Sequence, residues 1–566
     1  MSEQTENPSP KWLQCNGHQL RKLAQAGLIW LERNHQRVNE LNVFPVPDGD
    51  TGINMLLTMQ SAYKQVQGLD EAHVGKMADR LAYGAMMGSR GNSGVILSQI
   101  WRGLAKGFKD KTTFNVDDLA TALRDAAETA YKGVSRPVEG TILTVIREGA
   151  EEAEQAVKKS RDLRFLLERV LERCQQSLER TPELLPILKE AGVVDSGGQG
   201  LVFVLEGMLR YVHGKMGDMD ALIAQAATPV AALVDAPAQA HAVPEGGLLE
   251  FPYDVQFILL GQGLDVQAVT AKIDAMGDST VIVGDETAIK VHVHVKDPGQ
   301  PISYAISLGA ITDVVVENMQ EQMEDIVMGK ETAVSPLTPT LPKLDLQPNQ
   351  IGVVAVAAGS GLATAFRSLG VAYVVNGGQT NNPSTEELLA AIEAVPTEKV
   401  ILLPNNKNII LAAEAARDLS HKSVAVIPSR TVPQGISAMM MLDADGDLMD
   451  TAVAMTEVLG DVATGEITRA VRSVTIDDVA VEEGQYIGLV DGRLCACADA
   501  LNDVLSQVLA SMEMAEREIV SLYYGQDVTK DEATAVADQI ESAYPDVEVE
   551  TLSGGQAYYY YILGAE

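Results

Sequence analysis

From Gly17 to about Tyr211 the apolar residues recur at helical spacing, as in Leu20, Leu23, Ala24, Leu28 and Leu31, and β-branched runs bounded by turns are scarce. A pattern with one period over so long a stretch does not pair as a sheet, so the first third of the chain is predicted to be all-α. Short glycine-rich segments at 48–54, 88–94, 133–141 and 192–200 interrupt the helices. That is how a helical domain brings several loop ends around one ligand.

The rest of the chain changes rhythm. At 566 residues it exceeds what one core organises. Residues 12–215 are assigned to the helical domain and 216–247, rich in Ala and Pro, to a linker. Residues 248–330 then alternate strand-like runs (VQFILLG, STVIVGDETAIKVHVHV, ITDVVVENM) with a helical PISYAISLGAI, a small α/β domain. A second Pro-rich linker spans 331–349. In 350–566 the runs IGVVAVA, AYVVNG, KVILLP and SVAVIP alternate with helices as in a doubly wound sheet. A final lobe combines strands (EGQYIGLV, VEVETL, AYYYYILG) with helices predicted over 500–519 and 530–544.

The formal net charge of -35 repels nucleic acid and anionic lipid surfaces, so any phosphate must be held locally, most simply through a metal ion. Cys15, Cys174, Cys495 and Cys497 are too sparse for a disulfide framework. With no basic and apolar leader pattern at MSEQTENPSPKW and no run long enough to cross a bilayer, the expectation is a soluble, cytoplasmic protein without stable membrane insertion.

The segment Asn42–Met55, NVFPVPDGDTGINM, carries the most chemistry. Its prolines stiffen an extended approach, Gly49 permits a tight bend, and Asp48 and Asp50 flank that bend so that both carboxylates can face one point. Hard oxygen ligands of this kind suit Mg²⁺, which takes one or two carboxylates plus substrate phosphates, and the amides opening the next helix can meet phosphate oxygens. The plainer alternative is that Asp50 is a helix cap and Asp48 a turn residue. Three further segments accompany it: GSRGNSG, with Gly91, Asn92, Ser93 and Gly94 ahead of an apolar helix; PVEGTILTV, with Gly140 and Thr141; and VVDSGGQG, with Asp195 and Gly197. Each can be an ordinary glycine-rich turn. Backbone amides in such loops can also cradle anionic oxygens.

Taken together, NVFPVPDGDTG, SRGNSGVILSQ, PVEGTILTV and VVDSGGQGL resemble the nucleotide-binding motifs of the DhaL-type domain, the ATP-binding half of dihydroxyacetone kinases, and most closely those of the fatty acid kinase A family. NGGQTNNPST, PNNKNII, PQGI and GGQAYYYYI are similar to C-terminal segments of that family, so the resemblance covers nearly the whole chain. It implies a helical barrel around ATP and Mg²⁺, followed by a small α/β domain and a two-lobed, DegV-like α/β region. It also implies transfer of a phosphoryl group to a fatty acid held by a separate DegV-type fatty-acid-binding subunit, giving acyl phosphate for phospholipid synthesis, and it suggests a homodimer. Carried onto this sequence, the metal set is Asp48 and Asp50, with Asn42 as a candidate third ligand where dihydroxyacetone kinases have an aspartate. Thr51 joins the candidate catalytic residues, and Asn54 the nucleotide-binding ones. Arg90 and Arg136 are candidate transition-state cations. A fatty carboxylate is ionised at neutral pH and needs no general base.

In Lys290-Val-His-Val-His-Val, strand alternation puts His292 and His294 on one face. Related kinases place a cysteine nearby; here Asp254 stands at that position, so His292, His294 and Asp254 form a candidate Zn²⁺ set beside the reading of an ordinary strand face. Asn405, Asn406, Lys407 and Asn408, with Gly377, Gln379 and Thr380, fall where open α/β sheets bind ligands. Two other functions stay open: a DhaL-type kinase of a small metabolite, and a nucleotide-sensing scaffold without turnover.

Overall fold

The computed structural model describes residues 11–42, 49–134, 136–216, 253–261, 264–284, 288–318, 346–379, 381–476 and 479–566. The chain divides into two compact units, Met1–Ala227 with Thr340–Glu566, and Thr228–Pro339.

In the first unit, helices α1 (Gly17–Glu40), α2 (Thr51–Lys64), α3 (Val74–Met87), α4 (Gly91–Phe108), α5 (Val116–Lys132), α6 (Ile142–Ala156), α7 (Leu163–Glu179), the short α8 (Thr181–Leu184) and α9 (Pro186–Ala191), and α10 (Ser196–Val212) follow one another. Each long helix packs on the next, α7 reaches α10, and α10 returns to α1, which closes a ring. The paired strands β1 (Cys15–Asn16) and β2 (Thr113–Phe114) pin its edge. Local chemistry starts the helices where the sequence supplies caps: Asn16 with Gln19, and Asn115 with Asp118, form reciprocal capping boxes. Small residues let the helices approach. A Cβ on Gly207 of α10 would lie 2.4 Å from the Ala26 carbonyl oxygen of α1, and one on Gly103 of α4 would lie 2.3 Å from Cα of Ala126 in α5. Inside the ring Trp101 is 2% exposed, its indole N–H donating to Sδ of Met59 at 3.1 Å.

The second unit has β3 (Tyr253–Leu260), the helix Val266–Asp274, β4 (Gly277–Gly284), β5 (Ala288–Val295), the helix Gly299–Ile306 and β6 (Ala310–Asn318). Its antiparallel sheet runs β4-β5-β3-β6, the order of a split βαβ or ferredoxin-like layer. Val255, Phe257, Leu259, Val291, Val293 and Val295 supply its core.

The remainder of the first unit has two lobes. One is a parallel sheet, β10-β9-β7-β8, of β7 (Ile351–Ala357), β8 (Tyr373–Asn376), β9 (Lys399–Leu403) and β10 (Ser423–Val426), with helices between the strands. Every residue of β7 is buried, as expected for a central strand covered on both faces. The other lobe is a mixed sheet, β15-β14-β11-β18-β16-β17, made of β11 (Ala463–Arg469), β14 (Tyr486–Val490), β15 (Arg493–Ala498), β16 (Ile519–Tyr524), β17 (Glu548–Ser553) and β18 (Tyr559–Ala565), with a small β12 (Val474–Ile476) and β13 (Val479–Val481) hairpin beside it. The helix predicted over 500–519 ends at Ser511, because Glu513 turns left-handed (φ 55°) and Ile519–Tyr524, β-branched and aromatic, pairs as a strand instead.

Candidate active site

The start of α2 lies flat on the end of α1. A Cβ on Gly52 would be 2.1 Å from the His35 carbonyl oxygen, and the Gly52 N–H donates to Oδ1 of Asn39 at 2.7 Å. This sets Asp50, 9% exposed, at the N-cap of α2, yet its side chain makes no capping bond. Its Oδ2 accepts instead from Nδ2 of Asn382, 332 residues away in the α/β half. The carboxylate therefore faces outward from its own helix. Asp48 lies outside the described residues. Asn42 ends the α1 segment, its N–H donating to the Asn39 carbonyl at 3.1 Å.

Thr51 is buried, and its Oγ1 accepts from Ser196 Oγ at 3.4 Å, which ties the start of α2 to that of α10. Asn54, one turn on, meets α4: a Cβ on Gly91 would lie 2.6 Å from Asn54 Nδ2, and Gly91 has φ +56°, so only glycine fits there. The sequence suggested a loop before this helix. The structure starts α4 at Gly91, so Asn92 and Ser93 lie in its first turn, where main-chain N–H groups have no partner within the helix, while the Gly94 N–H already donates to the Arg90 carbonyl at 3.2 Å. Gly94 faces Thr58 of α2. Gly140 (φ +81°) packs against Leu184 and Leu185, and Thr141 caps α6. Asp195 caps α10, its Oδ2 accepting from the Gly198 N–H at 2.7 Å. Burial pushes the Asp195 carboxyl up to about 6, although hydrogen bonds from the Gly198 and Ile142 amides favour its charged form.

A cavity of about 980 Å³ brings Asn92, Ser93, Thr141, Asp195 and Gly197 together. Asp50, Thr51, Asn54 and Gly91 do not line it; Thr51 is tied to it by the bond from Ser196 and Gly91 precedes Asn92, whereas Gly94 and Gly140 serve packing. The opposite wall belongs to the α/β half: Asn376 ends β8, Gly377 and Gln379 follow it, and Asn405, Asn406 and Lys407 follow β9. These are the carboxyl ends of parallel strands. Asn406 Nδ2 donates to Gln379 Oε1 at 2.9 Å, so two of the segments singled out in the sequence do meet. Asn405, left-handed at φ 54°, is an internal pin, donating to the Val356 carbonyl and accepting from Ser429 Oγ. Thr380 lies outside the described residues.

The two halves join through a seam that local sequence patterns did not disclose. The Thr385 N–H donates to the Ser89 carbonyl at 3.1 Å, and the two hydroxyls lie 2.9 Å apart. Arg90 donates to the Asn382 carbonyl at 2.9 Å and pairs with Glu387 at 3.0 Å, so this arginine is engaged in the seam. Arg136 is exposed on the cavity wall. The available signal was the Ser384-Thr-Glu-Glu387 capping box, which marks a helix start but not what it touches.

Among the described residues no group of three or more His, Cys, Asp or Glu side chains is arranged to hold a metal. A cation at Asp50 would draw its other oxygens from amides, phosphates and water, the usual mode for Mg²⁺. The residues fit that demand. Buried oxygens Asn92 Oδ1 and Asn382 Oδ1 have no partner. In the second unit, register places Asp254 opposite His294 and Gln256 opposite His292, while the side chains of Asp254, His292 and His294 lie outside the described residues.

An all-helical ring whose helix starts line one cavity, followed by a small α/β layer and a two-lobed α/β half, defines a multidomain protein with an N-terminal DAK2 domain; the DAK2 domain model matches residues 45–210. Residues 250–326 match the middle domain of FakA-like (fatty acid kinase A-like) proteins, and 352–566 match the FakA-like C-terminal model. YloV of Bacillus subtilis (strain 168) is 37% identical over 555 residues, 97% of this chain and 99% of the relative. An uncharacterized protein of Staphylococcus aureus (strain USA300) is 34% identical over 97% of this chain and 99% of its own. The chain belongs to the FakA-like family of fatty acid kinase proteins. Among solved structures, DegV, a fatty acid binding protein from Bacillus subtilis, aligns with 38% of this chain and 99% of its own at 12% identity and a TM-score of 0.30. No described helix is long and apolar enough to cross a membrane.

Proposed function

We propose that the protein is the ATP-binding catalytic subunit of a fatty acid kinase, transferring the γ-phosphoryl group of ATP to the carboxylate of a fatty acid presented by a separate DegV-type subunit. The observation that carries this reading is the Asp50 carboxylate, turned off its own helix beside a cavity lined by the first turns of α4, α6 and α10. Family membership supports the substrate class.

In the reaction a carboxylate oxygen forms a bond to the γ-phosphorus as the bond to the β,γ-bridging oxygen breaks, and ADP leaves with the electron pair. No proton has to be removed from the acceptor. The work of the chain is positioning and charge. Amides at the start of α4 and the Ser93 hydroxyl hold phosphate oxygens, and Asp48 and Asp50 hold Mg²⁺, which when bound neutralises charge on the β and γ phosphates. Thr51 and Asn54 brace that wall, while Thr141, Asp195 and Gly197 form the far side of the nucleotide pocket.

The test is ATP consumption by the full chain with Mg²⁺, a fatty acid and the DegV-type partner, each omitted in turn. Turnover that needs all of them is the expected outcome. Turnover with a free small metabolite and no carrier would replace the acceptor, and nucleotide binding without turnover in the complete mixture would leave a sensor. The homodimer is proposed with it; a monomeric mass by light scattering would remove it.

A further inference from the structure

Asn382 belongs to the α/β half, yet its side chain is built into the wall of the nucleotide domain. It is 2% exposed. Its Nδ2 donates to Oδ2 of Asp50, while its Oδ1, also buried, has no partner. The main chain here is fixed from three sides: Arg90 holds the Asn382 carbonyl, Thr385 is bonded to Ser89, and Glu387 is paired with Arg90. The amide lies in van der Waals reach of Gly91, where a Cβ would stand 3.5 Å from Nδ2.

We propose that Asn382 is an oxygen ligand of the metal centre, supplied to the helical domain by the C-terminal half. The proposal rests on the Mg²⁺–nucleotide reading of the site given above. A buried amide oxygen with no donor nearby is costly, and natural structures leave few such atoms. The amide plane offers a remedy at small cost. Rotated by half a turn about its last side-chain bond, it exchanges Nδ2 for Oδ1 beside the Asp50 carboxylate. Two oxygens facing one another repel unless a cation lies between them, and with Mg²⁺ there both are satisfied, as hard donors of the type that ion prefers. The same residue thus has two states: a hydrogen-bond donor that screens the carboxylate when the metal is absent, and a ligand when it is present.

The experiment uses the full chain and two probes: ADP with Mg²⁺ or with chelator, by calorimetry, and Mn²⁺ alone, by electron paramagnetic resonance. The wild-type chain binds ADP more tightly with Mg²⁺. In Asn382→Leu that enhancement falls by about 10- to 100-fold, as for loss of a group that orients or completes a metal site, while chelated ADP binds as before. Asn382→Asp, with a carboxylate where the amide was, binds Mn²⁺ more tightly than wild type. Thr385→Val breaks a seam hydroxyl pair without touching the amide and retains the enhancement. An undiminished enhancement in Asn382→Leu, an equal loss in Thr385→Val, or weaker Mn²⁺ binding by Asn382→Asp would each overturn the proposal. Those results leave the kinase reading intact. A wild-type chain with no metal-enhanced ADP binding would instead overturn both.

Discussion

At Asp50 the chemistry turns on one carboxylate that sits at a helix start and does not cap it. Asp50→Asn keeps the shape and removes the charge, so phosphoryl transfer is expected to drop by roughly 100-fold or more, the scale seen when one transition-state charge contact is lost, with the circular dichroism spectrum unchanged. Asp195 offers a different signal. Its carboxyl ionises at about 6 when folded against an ordinary value of 3.8, so the folded state holds a proton that the unfolded chain has lost between those values. Stability therefore falls as pH rises through that window and levels above it. Asp195→Asn still offers a cap acceptor but does not titrate; its melting temperature relative to wild type is expected to rise from about pH 4 to about pH 7. An unchanged difference between the two proteins would contradict the desolvation argument. The candidate residues around these helix starts were legible in the sequence because glycine clusters before apolar runs are local patterns. Asn382 was not, because its partner is 332 residues away and an asparagine in Asn-Asn-Pro-Ser has the look of a turn.

Among the elements, the helical ring followed from periodicity, and strands β3 to β10 followed from β-branched runs between turns. The end of the helix Leu501–Ser511 did not, since Met512–Glu518 continues an amphipathic pattern and only the left-handed Glu513 breaks it. Which helices touch was equally hidden, because closeness depends on glycines whose neighbours lie on other helices. Gly103 is one. Its replacement by Ala drives a methyl into the backbone of α5 at Ala126, and the expected cost is about 1–3 kcal/mol from overpacking. Chemical denaturation measures this cost; alanine is the better helix former, so a loss of stability in Gly103→Ala reports the backbone clash and not helix propensity.

Across the whole molecule, the helical ring and the C-terminal half count as one compact unit and residues 228–339 as another. Calorimetry is therefore expected to resolve a joint transition for the first unit and a separate one for the second. Mg²⁺ with ADP at about 100 times its dissociation constant should stabilise the joint transition by about 2.7 kcal/mol and leave the other in place. Separate melting of the helical ring and the C-terminal half would contradict the shared unit. The all-α first third and the α/β lobes were legible in periodicity, but no composition discloses that the first and third segments share a core. Val95, on α4, makes the point: it is 3% exposed within a cluster whose other members run from Val354 to Ala416. A helical half taken from a relative and spliced onto this C-terminal half would have to bring compatible residues at positions 50, 89, 90 and 95 together. The two ends of the gene are thus expected to be inherited as a matched set, because an exchange between them separates residues that pack in one core.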